Sequence, residues 1–357
     1  MTRVSRGVVA AGHPATAEAG AAILKAGGNA VDAAIAAITT SFIAEPVLTA
    51  AGGGGFMLVA DSSSRATLYD GFARMPYGKA LTGIQPELKA IPIDFGDTVQ
   101  TFHIGQASVG TPSLLAMLFQ AHKAHGRLPL AEVLAPGLDA ARGGIRLNQL
   151  QASFIKLLTP ILSDRESCRS LHTPVRGSDQ SNGQTGDQTN DLYREGESFR
   201  NPDLANTLEM LSIEGIDEMY HGDLAKEIVK SCSPYGLLGM QDMRAQQVYE
   251  RRPLSINLLG GTLLTNPPPS SGGTLITFAA SMLDELYRNE KTSTLPWSLL
   301  IAEGLHAASL LRQEGFDSRI HGREIEKQIF APGNLEHAMN QISKRLLAIT
   351  DENAVEP

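Results

Sequence analysis

The sequence predicts a layered α/β or α+β fold in which helices outnumber strands. Two observations carry that prediction. Helical stretches with recognisable caps recur along the chain, and the short apolar runs come as hairpins or alternate with helices. No internal repeat at solenoid periods competes with it. The 357 residues can bury a sizeable core: 42% are hydrophobic, 19% charged and only 5% aromatic. Ala and Gly therefore carry much of the packing, and elements should approach one another closely.

Taken in order, residues 14–26, PATAEAGAAILKA, form a first helix, with Pro14 suited to the first helical position and Gly27–Gly28 to the exit. Asn29 then caps a second helix, AVDAAIAAITTSFIA, with Asp32 placed as the acid of a capping box. That helix is apolar nearly all round, so it should be buried on most faces until Glu45–Pro46 ends it. FMLVA and ATLYDGF are strands joined by the polar turn DSSSR, and a further strand covers 98–104. Helices follow at 112–126 and 131–142. Residues 173–191, almost free of apolar side chains, cannot offset their ordering entropy by burial and are expected to be a mobile surface insertion. Asn201 and Pro202 open another helix, and 222–231 and 296–312 are helical. LSINLLGGTLLTNPPPSSGGTLITFAASMLDEL reads as strand, turn, strand, proline brake and helix.

Charge and composition exclude several classes. The formal net charge is −8 with no Lys/Arg cluster, so neither nucleic acid nor an anionic membrane is an expected partner. Cys168 and Cys232 stand alone in separate segments, outside any metal-ligand spacing, and read as reduced thiols. The first residues, MTRVSRGVVAAGHP, lack a signal-peptide apolar region, and 30–44 is too short to span a bilayer. The expectation is a soluble, cytoplasmic protein with no metal and no organic cofactor.

The motifs narrow the chemistry further. AGGGGF, residues 51–56, has the glycine content of a phosphate loop but the wrong order: a helix precedes it, a strand follows, and Phe56 stands where a Walker lysine would begin the helix. The glycines are better read sterically, permitting positive φ and close approach to another backbone or a substrate. In PPPSSGG, residues 267–273, Ser270 or Ser271 is expected to cap the following helix rather than act as a nucleophile, because no GxSxG elbow surrounds it. His122 and His125 share a helix face, but HKAH lacks the HExxH acid, so both are placed at the surface. Asp242 with Glu250, and Asp284 with Glu285, read as ordinary helix-face charges. Spacing alone thus yields no nucleophile.

Together, GVVAAGHPATAEAGAAILKAGGNAVDAAIAA, EPVLTAAGGGGFMLV, GRLPLAEVLAPGLDAARGGIRLN, FRNPDLANTLEMLSIEGIDEMYHGDLAKEIV and NPPPSSGGTLI resemble the γ-glutamyltransferases (γ-glutamyltranspeptidases), in that family's order. The resemblance implies an N-terminal-nucleophile hydrolase with an αββα core, made as a precursor that cuts itself into large and small subunits. The small subunit's new N-terminal threonine attacks a γ-glutamyl amide of glutathione type, and the acyl group passes to water or an amine. A threonine hydroxyl needs a base, which the α-amine of the same residue can supply. The family's Thr-Thr-His processing motif is expected beyond DENAVEP, so residues 1–357 read as the large subunit, one domain shared with a partner chain. The expected assembly is a heterodimer, or a dimer of heterodimers, in which strands such as FMLVA pair with the partner rather than expose their edges.

One departure concerns specificity. The resemblance implies an arginine that clamps the substrate α-carboxylate, a bidentate task suited to guanidinium. Anchoring on Asp70 and Pro76 in DGFARMP puts Phe72 in its place, with Arg74 two residues on. In an extended chain those two share a face, about 6.6 Å apart. Either Arg74 reaches the carboxylate, or Phe72 lines a pocket for a less polar acyl group, as in the glutaryl- and cephalosporin-acylase branch; a solvated surface charge is the bland reading of Arg74. Three functions follow: a γ-glutamyltransferase-like enzyme, an acylase of the same superfamily, or a non-catalytic scaffold homologue.

Overall fold

The computed structural model of the chain describes residues 7–353 apart from 64, 78–82, 84, 175–190, 291 and 323. The insertion expected over 173–191 lies, from 175 to 190, outside the described residues. The chain divides into two compact units: residues 1–57 with 70–248, and residues 58–69 with 249–357.

The first unit opens with α1 (Pro14–Lys25) and α2 (Ala30–Ala44). Pro14 occupies the first helical position as expected, and the ring of His13 caps α1 by accepting the Ala15 N–H at 3.1 Å. Asn29 and Asp32 form the full reciprocal capping box at the start of α2. As its composition demands, α2 is buried on most faces, with Ile35, Ala36 and Ile43 at the centre. Strands β1 (Gly55–Ala60) and β2 (Ala66–Gly71) carry the chain into the second unit and back.

An antiparallel pair, β3 (Lys89–Asp94) and β4 (Val99–Ile104), follows, running from Lys89 opposite Ile104 to Asp94 opposite Val99. Next come α3 (Leu114–His125) and α4 (Leu130–Gly143), which end at the glycines the sequence offers. α4 lies directly against α2. A Cβ on Gly137 would meet Thr39 Oγ1 at 2.8 Å, so this is one place where small residues set the helix spacing. The rest of the unit comprises β5 (Ile145–Arg146), α5 (Gln149–Leu157), α6 (Thr159–Leu162), α7 (Glu166–His172), β6 (Ser198–Phe199), α8 (Pro202–Glu214), α9 (Asp217–His221), α10 (Asp223–Ser231) and α11 (Met240–Arg244). α8 packs on α4 through the buried Ala205, Leu208 and Leu211, and Asn201 caps it as predicted.

In the second unit β7 (Tyr249–Arg251) completes a three-stranded sheet of order β1-β2-β7, and β8 (Leu254–Leu258) pairs antiparallel with β9 (Gly261–Thr265). Helices α12 (Ser271–Arg288), α13 (Trp297–Gln313), α14 (Phe316–Arg319), α15 (Ile325–Ile329) and α16 (Pro332–Asn353) enclose one core that includes Phe278, Met282, Leu300, Phe316 and Ile342. Ser270 holds the N-cap position of α12, but neither its hydroxyl nor that of Ser271 makes the expected capping bond. The proline run already fixes the entry angle, and the Ser270 carbonyl instead accepts the Thr274 hydroxyl at 3.3 Å.

Candidate functional site

The site is built where the glycine run meets the loop after β2, wholly within the first unit. The Gly53 N–H donates to Ala50 O at 3.0 Å, and Gly53 O accepts the N–H groups of Ser113 (3.0 Å) and Leu114 (2.9 Å) at the head of α3. A phosphate cradle needs helix-leading amides free for the anion. Here a main-chain carbonyl occupies them, so the run anchors a helix. None of Gly52–Gly55 has positive φ, contrary to one half of the steric expectation. The other half holds: a Cβ on Gly54 would collide with the backbone N of Ala73.

That close approach lays the residues after the run beside the residues after β2. β2 ends at Gly71, so Phe72 and Arg74 stand in a loop and not in a continuing strand. The Phe72 N–H donates to Asp70 Oδ1 at 3.2 Å, and its ring stacks on Phe56, with centroids 5.5 Å apart and planes 18° from parallel. Phe72 remains 58% exposed, so the pair offers an open aromatic face. Arg74 is half-buried, and its carbonyl accepts the Thr111 N–H at 2.8 Å. The two residues expected to bind substrate thus lie in one loop, and it is Phe72 that pairs with a second aromatic ring.

Sequence reasoning missed Phe56, and it misplaced Asp242. Asp242 is no helix-face charge: it is 6% exposed, its Oδ1 accepts the Tyr77 N–H at 2.7 Å, and its Oδ2 accepts the Gly239 N–H at 2.9 Å. Gln246, just past α11, donates to Ser113 Oγ. Periodicity around 240–246 carries no sign of the contacts to Tyr77 and Ser113, because those partners lie more than a hundred residues away; only the Gly239 contact is local. Of the two histidines on α3, His125 is exposed as expected. His122 is half-buried, donating Nε2–H to Leu128 O at 2.9 Å. Among the described residues no cluster of three or more His, Cys, Asp or Glu could hold a metal. A cavity of about 960 Å³ lies elsewhere in the first unit, between residues 7–11 and the α1–α2 pair, with Thr16, Glu45 and Arg127 on its walls.

The family model described as Gamma-glutamyltranspeptidase matches residues 16–352. The chain belongs to the γ-glutamyltranspeptidase family. Within it, the chain is 34% identical over 333 residues to the glutathione hydrolase proenzyme of Pseudomonas aeruginosa, covering 91% of this chain and 51% of that protein. It is 30% identical over 290 residues to the Escherichia coli protein of the same name, covering 79% and 46%. The chain thus spans about half the length of the curated relatives it matches. Among solved structures it resembles Helicobacter pylori γ-glutamyltranspeptidase, with a TM-score of 0.74 at 23% identity over 96% of this chain and 93% of that one. It also resembles a cephalosporin acylase from Bacillus halodurans, with a TM-score of 0.67 at 21% identity over 95% and 62%. The fold is that of the N-terminal-nucleophile hydrolases, as the resemblance implied. No helix among the described residues is long and apolar enough to cross a membrane.

Proposed function

We propose that the chain is the large subunit of an autoprocessed γ-glutamyltransferase-like enzyme. It walls the acyl site of an amide-cleaving threonine carried by a second chain from the same precursor. The observation that carries the reading is the family match over residues 16–352. In this reading the threonine hydroxyl, activated by its own α-amine, attacks a γ-glutamyl amide and passes the acyl group to water or an amine. β1 lies at the end of the strand order β1-β2-β7, and its outer edge accepts the partner's strand to complete the αββα layers. The free thiols of Cys168 and Cys232 suit a reducing compartment, in keeping with a cytoplasmic location.

The Phe56–Phe72 stack favours the acylase-type preference as a second reading. An aromatic face cannot grip a carboxylate bidentately, so acyl groups lacking the α-carboxylate lose less here than in an arginine-clamped site. The test uses the complete processed enzyme with γ-glutamyl- and glutaryl-anilides. Phe72→Arg should raise the preference for the γ-glutamyl donor by roughly ten-fold or more, the worth of a charge-assisted pair. Arg74→Ala separates the readings: an unchanged KM for the γ-glutamyl donor removes Arg74 from the site and leaves Phe72 as the determinant. Cleavage of neither anilide by the processed protein would favour a non-catalytic scaffold.

A further inference from the structure

The loop 72–77 lies at the wall just described, yet little apolar burial holds it. Phe72 is 58% exposed, Met75 and Tyr77 are each 85% exposed, and Pro76 is the one buried side chain among its six residues. Polar tethers hold it instead. Asp70 accepts the Phe72 N–H at the near end, Arg74 O accepts the Thr111 N–H in the middle, and Asp242 accepts the Tyr77 N–H at the far end. The first two tethers come from β2 itself and from the approach to α3. The third comes from α11, a helix with no other assigned task.

We propose that Asp242 is a positioning residue for the acyl site, fixing the loop 72–77 from α11 through the Tyr77 amide. This rests on the reading of Phe72 and Arg74 as substrate wall. A carboxylate suits the task because its two oxygens serve two elements at once. Oδ2 caps α11 through the buried Gly239 N–H, which holds the side chain in one rotamer, and Oδ1 then presents a fixed acceptor to Tyr77 at 2.7 Å. The same short segment also holds the glycine run, since Gln246 donates to Ser113 and Gly53 O accepts the Ser113 amide. Residues 239–246 therefore support both sides of the wall and set their separation. Asp242 does not touch the substrate. It acts through the loop, and loosening that loop weakens the contacts that hold the acyl group in ground state and transition state alike.

The experiment compares Asp242→Ala and Tyr77→Pro with the unaltered, fully processed enzyme. Tyr77→Pro removes the donor of the tether, along with the ring and the freedom of φ at 77, and leaves the Gly239 cap intact. It therefore still tests the proposal should Asp242→Ala fail to fold, with Tyr77→Ala as the control for the lost ring. Both variants should raise KM for the cleaved anilide about ten-fold, the loss expected for one hydrogen bond to a charged acceptor, with a smaller change in kcat. Both should also speed hydrogen exchange in peptides covering residues 70–76 while exchange in α1 and α2 stays as in the parent. Unchanged exchange over 70–76 in either folded variant overturns the proposal, as does an unchanged KM in Tyr77→Pro. If the parent cleaves neither anilide, the functional reading fails separately, and the exchange measurement alone decides whether Asp242 pins the loop.

Discussion

Asp32 is a carboxylate with no solvent exposure whose nearest partners are main-chain amides. It accepts the Asn29 N–H at 2.9 Å, the Arg127 N–H at 3.1 Å and the Leu128 N–H at 3.3 Å, and so ties the start of α2 to the turn between α3 and α4. The capping half of this arrangement is legible in NAVD; the other half joins residues 95 apart and is not. Asp32→Ala strands several amides and is expected to cost roughly 3 kcal/mol, read from denaturant unfolding. His172 is a different case. Burial pushes its pKa below the ordinary histidine range, its Nδ1–H donates to Cys168 O at 2.8 Å, and its ring stacks on Phe199. The folded state thus holds it neutral while the unfolded chain takes up a proton at the ordinary value. Its contribution to stability is complete above about pH 6.5 and is lost as pH falls through the depressed folded value. The unfolding midpoint should fall between pH 7 and 5, and His172→Gln should flatten that fall.

Elements show how a motif can keep its residues and lose its meaning. Gly52 and Gly54 are indistinguishable in AGGGGF, yet a Cβ at Gly52 meets nothing within 4 Å while one at Gly54 strikes the Ala73 backbone. Gly52→Ala should therefore leave the thermal midpoint unchanged within error. Gly54→Ala should cost at least about 1–3 kcal/mol, because the obstructing atom is main chain and cannot swing aside, and it should displace Phe72 along with Ala73. Equal unfolding midpoints for the two variants would refute this account of the glycine run. PPPSSGG teaches the same lesson in reverse. Its prolines stop the preceding strand and a helix starts after them as predicted, but the serine hydroxyls take no part in the cap. Strand β3 and the short helices α5–α7, α9, α11, α14 and α15 are not marked in the sequence, since elements of this length present too few turns for a period to stand out; the 22-residue α16 likewise lies outside the sequence-based expectations.

At the scale of the whole molecule, the chain exposes several large apolar side chains, among them Val8 at 96%, Met75 and Tyr77 at 85%, and Ile213 at 79%. On the proposed reading some of this surface is covered by the second chain. The present chain produced alone should then be inert toward amides and prone to aggregate. Co-production with a chain carrying the family's N-terminal threonine should restore both solubility and turnover, and robust amide cleavage by the chain on its own would contradict the assignment. The sequence by itself determined the capped helices α2 and α8, the β1–β2 hairpin, the proline brake and the family, because each depends on neighbours within a few residues or on ordered runs of motif. Only the tertiary structure decided which glycine matters, that Phe72 lies on Phe56, and that Asp242 holds the loop beside them. Those contacts are made by chain segments far apart in sequence, and local propensity holds no record of which distant backbone will arrive.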